Sequence, residues 1–220
     1  MSNPTKPLAE EISNAIFALA GSIGLLAQNI VDIQANMITD VLHQVFILAG
    51  KLNVNLVMAV EQKIEINKLK CPKELCHKEV AIKKYTECTQ STGIKNDSDV
   101  KLNITAWSKT SVPLEIVRSN FQQHLPVLLA SATECSMERG WIGSYSTQSL
   151  VCSLFCEMAE LMELIQWKDM SNIDTYGEAR DGLTRELADI TIYCIHFGRE
   201  LGIFTQQAAH DESINKQQFY

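Results

Sequence analysis

Five carboxylates stand close together in the second half of this chain. Glu157, Glu160 and Glu163 recur at every third residue of EMAELMELIQWK, and Glu186 and Asp189 keep the same spacing in RELADITIY. On a helix, residues i and i+3 project from neighbouring turns of one face, so each group makes an acidic patch. Two helices joined through the segment from Asp169 to Gly182 can pack antiparallel and bring the patches together. Carboxylates gathered in this way repel one another and titrate high unless a cation neutralises them. Glu160→Gln or Asp189→Asn should then relieve repulsion in the metal-free chain. All-oxygen ligation, without His or Cys at matching spacing, suits a hard cation and Mg²⁺ first. Bundles that hold two irons use Glu-x-x-His pairs; neither segment has one, although His196 follows Asp189 further along. The same spacing also fits the wet face of an amphipathic helix. Against that, Ala159, Leu161, Met162, Ala188 and Ile190 leave these faces little other polarity.

Such patches need helices, and helical spacing dominates the chain. Leu19, Ile23 and Leu26 recur at three and four, as do Val41, Val45 and Leu48, then Val57, Val60, Ile64 and Leu69 with slight drift. Val112-Pro113 opens a segment that keeps the period to about Glu138. Further helices are predicted over 147–168, 177–201 and 205–219. Lys95 to Asp99, with Ser91, Thr92 and Gly93 before it, is polar and aperiodic and reads as a linker. No run of alternating β-branched residues appears, and 10 Gly and 5 Pro are few for a turn-rich β protein. The expected class is all-α, a helical bundle.

Composition narrows the function. Of 220 residues, 19 are Lys or Arg and 26 are Asp or Glu, giving a net charge of −7. That balance disfavours binding to nucleic acid, which depends on clustered cations. The charge is uneven: residues 1–110 carry 12 basic and 11 acidic side chains, residues 111–220 carry 7 and 15. Seven Cys at irregular spacing suggest reduced thiols and a cytoplasmic or nuclear location. From Ile12 to Val31 there is no charge, yet Ser13, Asn14, Ser22, Gln28 and Asn29 interrupt the run and Glu10 and Glu11 precede it. A buried helix of a soluble protein, rather than a membrane span or signal peptide, is expected there.

The halves resemble each other. Asp40-Val-Leu-His-Gln-Val-Phe-Ile-Leu-Ala-Gly50 parallels Asp189-Ile-Thr-Ile-Tyr-Cys-Ile-His-Phe-Gly198, and Phe17 to Ala27 occupies the place of Cys152 to Met162. Each long helix is followed by a short turn and a second helix ending near an Asn, Asn67 or Asn215. A repeat of this length is too long for a solenoid. It suggests a duplicated helical unit whose two copies pack as a pseudo-dimer.

Glu-x-x-Glu, a gap of about 25 residues, then Glu-x-x-Asp resembles the signature of the all-α nucleoside triphosphate pyrophosphatases, the MazG-like superfamily. The likeness is closest to its eukaryotic dCTP pyrophosphatase branch. Trp141, the 16-residue step to Glu157, the run ending Gln166-Trp167-Lys168, and Glu186-Leu-Ala-Asp-Ile-Thr-Ile-Tyr193 carry it. Lys63-x-x-x-Asn67-x-x-Lys-Cys-Pro72 and Lys84-Tyr-Thr-Glu87 look like the same family's carboxy-terminal portion. The implied organisation is a degenerate copy over 8–89, a linker over 90–111 and an intact copy over 112–220.

That resemblance implies hydrolysis of a deoxynucleoside triphosphate, dCTP or a modified dCTP first, to the monophosphate and pyrophosphate. It implies Mg²⁺ held by Glu157, Glu160, Glu186 and Asp189. Trp141 and Trp167 would line the base pocket, Tyr193 would reach the sugar or phosphates, and Lys168 would lie near the pocket mouth. Glu163 would orient or deprotonate the attacking water, and Lys63 and Asn67 would lie near the nucleotide. A homodimer of fused repeats is implied, since the family commonly assembles as a dimer of dimers.

The chain also departs from the pattern. In the first copy Ser22, Leu25 and Met37 stand where carboxylates are expected, and only Asp40 remains. A His before Trp141 falls on Ala132, and His124 is a poor substitute with Pro126 after it. The second copy has Asp211 near Asn215 where the first has Lys63 and Asn67, so the copies are expected to divide one site between them. The alternatives are a dUTP or damaged-nucleotide pyrophosphatase of the same superfamily, and a non-catalytic nucleotide-binding or assembly protein.

Overall fold

The computed structural model describes residues 5–73, 111–143, 145–168 and 177–204. Among these residues are six helices and no strand: α1 (Thr5–Gln28), α2 (Ala35–Leu52), α3 (Leu56–Lys70), α4 (Leu114–Glu138), α5 (Thr147–Ile165) and α6 (Gly177–Glu200). The all-α expectation holds for them.

Helix ends follow local chemistry. Asn53 stops α2 in the left-handed conformation, φ 52°, which Asn tolerates, and its N–H reaches the Gly50 carbonyl at 3.1 Å. The chain then bends by 104° into α3. Asn55 caps α3 by accepting the Met58 N–H at 3.2 Å. At α5 the Ser146 hydroxyl accepts the Ser149 N–H at 3.1 Å, while the Ser149 hydroxyl accepts the Ser146 N–H at 2.9 Å.

Two helix hairpins form the body, α1 with α2 and α5 with α6. α2 lies against α6 and α1 against α5; α3 packs on α4 and α6. The apolar stripes read from the sequence are the glue: Ile12, Ile16, Leu19, Ile23 and Leu26 of α1 are buried, as are Val41, Val45 and Leu48 of α2. α6 is buried on nearly every side from Leu183 to Phe197. Its Thr184 and Thr191 hydroxyls avoid desolvation cost by donating to the Arg180 and Leu187 carbonyls. By length and composition α1 could cross a membrane over Leu8–Gln28, with one face in the core and Phe17 and Leu25 exposed on the other.

Polar links also join the first and second halves. Arg180 of α6 donates to the Leu52 carbonyl at the end of α2, and the Val112 N–H donates to the Gly50 carbonyl at 2.8 Å. Gly50 is required at that crossing. A Cβ there would stand 2.5 Å from the Val112 carbonyl oxygen.

Three expectations need correction. Leu69 is 53% exposed, and the buried position beside it is Lys70. α5 ends at Ile165 rather than Lys168, because Trp167 takes φ 64° and breaks the helical path. Thiols are not uniformly reduced: Cys71 is disulfide-bonded, while Cys135, Cys152, Cys156 and Cys194 are free. The linker over 90–110 and the helix expected over 205–219 lie outside the described residues.

Candidate functional site

α5 and α6 run side by side and present their acidic spacings to each other. Glu157, Glu160 and Glu186 each offer a carboxylate oxygen within 4.8 Å of the others. Glu157 and Glu186 are half-buried and Glu160 is exposed, so the group opens to solvent on one side. Asp189, one turn after Glu186, is buried and forms an ion pair with Lys63 of α3, itself buried. Three carboxylates thus converge, while the fourth is held by a cation from the first half.

The electrostatics follow from this crowding. Burial first, then repulsion from Asp189, Glu186 and Glu160, pushes the Glu157 carboxyl up to about 9. Burial and Asp189 raise Glu186 to about 7. Burial raises Asp189 as well, against the pull of Lys63 and Lys70. A carboxyl raised this far is held in its neutral form over a wider pH range, which relieves the repulsion among the three. Burial lowers the Lys70 ammonium, and the attraction of Asp189, Glu157, Glu160 and Glu186 opposes that shift. Lys70 therefore stands within the field of the site.

These donors fit a small hard cation. They are oxygens only, drawn from two helices that a common core holds in place. Among the described residues, Glu186 Oε2 is buried without a hydrogen-bond partner, an arrangement that costs free energy unless something outside the protein satisfies it. The corresponding first-half positions differ. Ser22 and Met37 are half-buried, Leu25 and Asp40 are exposed, and no second acidic group gathers there among the described residues.

Beyond Asp189 the same face of α6 turns aromatic. Tyr193 is half-buried, and burial plus the nearby Glu157 raises its hydroxyl pKa. The Tyr145 ring meets His196 at 5.0 Å between centroids. His196 is buried 3.2 Å from the Ser136 hydroxyl, and burial lowers it to about 4, so it is neutral at pH 7. Ser136 lies one turn beyond the buried Ala132, so an imidazole from α6 meets this face of α4 where the sequence leaves only a methyl group.

The remaining expected residues are spread more widely. Trp141 is half-buried with the Arg139 guanidinium 5.9 Å from its ring centroid. Asn67 is half-buried in the last turn of α3. Glu163 and Lys168 are exposed and outside the converging group, and Trp167 is 95% exposed. The structure therefore does not bring Trp167 against Trp141.

Sequence reasoning missed Arg139. It is buried and donates to carbonyls of Cys71 at 2.7 Å and Cys135 at 3.0 Å, tying the end of α3 to the end of α4. A cation just past a predicted helix end was the available signal. No protein-family model, curated protein or solved structure matches the chain.

Proposed function

We propose that the chain is a Mg²⁺-dependent nucleoside triphosphate pyrophosphatase acting on a deoxynucleoside triphosphate, with dCTP or a modified dCTP favoured. The observation that carries this reading is the convergence of Glu157, Glu160 and Glu186 from two helices, with Asp189 one turn away. Glu157, Glu160, Glu186 and Asp189 would hold the cation. When bound, Mg²⁺ would supply positive charge to phosphoryl oxygens as negative charge develops on them.

The chain's own side chains do the rest in this reading. Lys63, Lys70 and Asn67 come from α3 and would meet the phosphates at the rim of the acidic group. Tyr193 would bear on the sugar, and Trp141 on a flat base, where stacking contributes about 1–3 kcal/mol per base. Glu163, on the solvent side of α5, would accept the proton of the attacking water. Trp167 and Lys168 would approach the substrate from the pocket mouth.

The architecture is read as two MazG-like repeats packed as a pseudo-dimer, a degenerate one over 8–89 and an intact one over 112–220. The pairing of α1 with α2, α5 with α6, α2 with α6 and α1 with α5 supports it. Two such chains would associate in the cytoplasm or nucleus, giving four repeat units. The test is a panel of deoxynucleoside triphosphates with Mg²⁺, assayed for pyrophosphate. Turnover of one of them, abolished by excess EDTA, is expected. Turnover that survives EDTA would overturn the metal reading, and a uridine or oxidised base as best substrate would move the assignment to a sister activity.

A further inference from the structure

We propose that Lys63 is the resident counter-ion of the acidic site, occupying Asp189 until a divalent cation displaces it. The inference rests on the metal reading above and goes beyond it, because it concerns what the site does before any metal arrives.

Both partners of the Lys63–Asp189 pair are buried. A buried ammonium or carboxylate is strongly disfavoured alone, so each holds the other in place. The other three carboxylates converge on one another, and Lys63, paired with Asp189, also attracts Glu157 and Glu186. Lys63 also reduces the net charge of the site, which lets the helices pack without metal. A divalent cation held by these carboxylates would bring two positive charges into the site that the ammonium already occupies. Like charges repel strongly in a site partly closed to water, which favours withdrawal of the ammonium. The lysine has a flexible four-carbon stem and can withdraw, whereas the carboxylates are fixed on α5 and α6. Lys63 therefore exchanges partners: it leaves Asp189 as the cation enters, and its ammonium becomes available at the same rim to an anionic oxygen. The consequence is competition, in which metal binds against the lysine.

The experiment uses the full chain and the metal alone, Mg²⁺ or Mn²⁺, without nucleotide. Calorimetric titration of Lys63→Met should show metal binding at least about tenfold tighter than wild type, and the metal-induced rise in Tm should grow. Lys63→Arg, which keeps the charge and grips a carboxylate through two N–H groups, should bind metal no better than wild type. In protein labelled with ¹⁵N-lysine, the ammonium signal absent from Lys63→Arg should move as Mg²⁺ saturates the wild-type site. That measurement decides the matter even if Lys63→Met fails to fold. Equal or weaker metal affinity in folded Lys63→Met, or an ammonium signal unmoved at saturation, would overturn the exchange while leaving the metal site standing. Absence of metal uptake by wild type and both variants would overturn the exchange and the metal reading together.

Discussion

The Arg139 guanidinium donates from Nε to the Cys71 carbonyl, closing the C-terminal ends of α3 and α4 with one buried side chain. Helix C-termini leave carbonyls without helical partners and favour a cation there. Arg139 thus helps to hold α3, the helix that carries Lys63. Arg139→Met should lower stability by about 1–3 kcal/mol for buried carbonyls left unpaired, and should weaken turnover. Arg139→Lys should recover only part, since a single ammonium cannot reproduce the forked geometry. Urea denaturation of the three proteins reads the first effect, and an unchanged midpoint in Arg139→Met would contradict it.

The ion pair with Lys63 separates Asp189 from its neighbours and changes what neutralising it should do. Glu160→Gln should abolish turnover while metal-free stability holds or rises, because it removes one of three mutually repelling carboxylates. Asp189→Asn should also abolish turnover, yet lower metal-free stability by about 3–5 kcal/mol, the usual cost of stranding one member of a buried pair. The sequence spacing alone led us to expect the same relief from both. Thermal melts in EDTA distinguish the outcomes, and a stabilised Asp189→Asn would argue that Lys63 contributes nothing to the fold.

Glu157 at about 9 and Glu186 at about 7 in the folded protein, against about 4.5 unfolded, mean that the native state binds more protons between these values. Stability of the metal-free protein should therefore fall as pH rises through that window. His196, lowered to about 4, acts oppositely, because its native form loses stability as pH falls below about 6.5. Between pH 6.5 and 9 only the carboxylate effect of these groups remains. Tm measured in EDTA should drop across that interval, less steeply in Glu157→Gln and least with saturating Mg²⁺. A wild-type profile that is flat or rising there would show that the carboxyls do not crowd as described.

Glycine substitutions should split by sign. A Cβ on Gly50 would press on the Val112 carbonyl, and one on Gly198 would stand 2.0 Å from the Phe204 ring. Gly50→Ala and Gly198→Ala should each destabilise by about 1–3 kcal/mol. Gly21 and Gly24 lie inside α1 with nothing within 4 Å of a new Cβ. There alanine should stabilise by about 0.5–1 kcal/mol, because it restricts the unfolded chain and favours helix. Guanidinium denaturation of the four variants gives the signs directly.

The helices were legible because burial on one side of a helix imposes a period that single residues display, as Leu19, Ile23 and Leu26 do in α1. Convergence of Glu157, Glu160 and Glu186 was legible for the same reason, since spacing by three fixes a face. The pairing of Lys63 with Asp189 was not. It depends on how α3 crosses α6, which follows from the turn at Asn53 and the Arg139 cap rather than from any local pattern. The end of α5 was equally hidden, since nothing in Gln166-Trp167-Lys168 forbids another helical turn, yet Trp167 leaves the helix. Lys70 belongs to a lysine-rich stretch of sequence that does not show its burial, and only the packing of α3 places it, buried, in the field of the acidic group.

Charge balance across the two halves has a consequence for inheritance. Residues 112–220 carry the carboxylates, but the ammonium that pairs with Asp189 is encoded far upstream, in α3. A recombination event that transmitted only the downstream segment would deliver an acidic group stripped of its compensating cation. Substitutions at Lys63 and at Asp189 should accordingly be fixed together in descendants of this gene, and the two segments should resist being shuffled between lineages even where their backbones would superimpose.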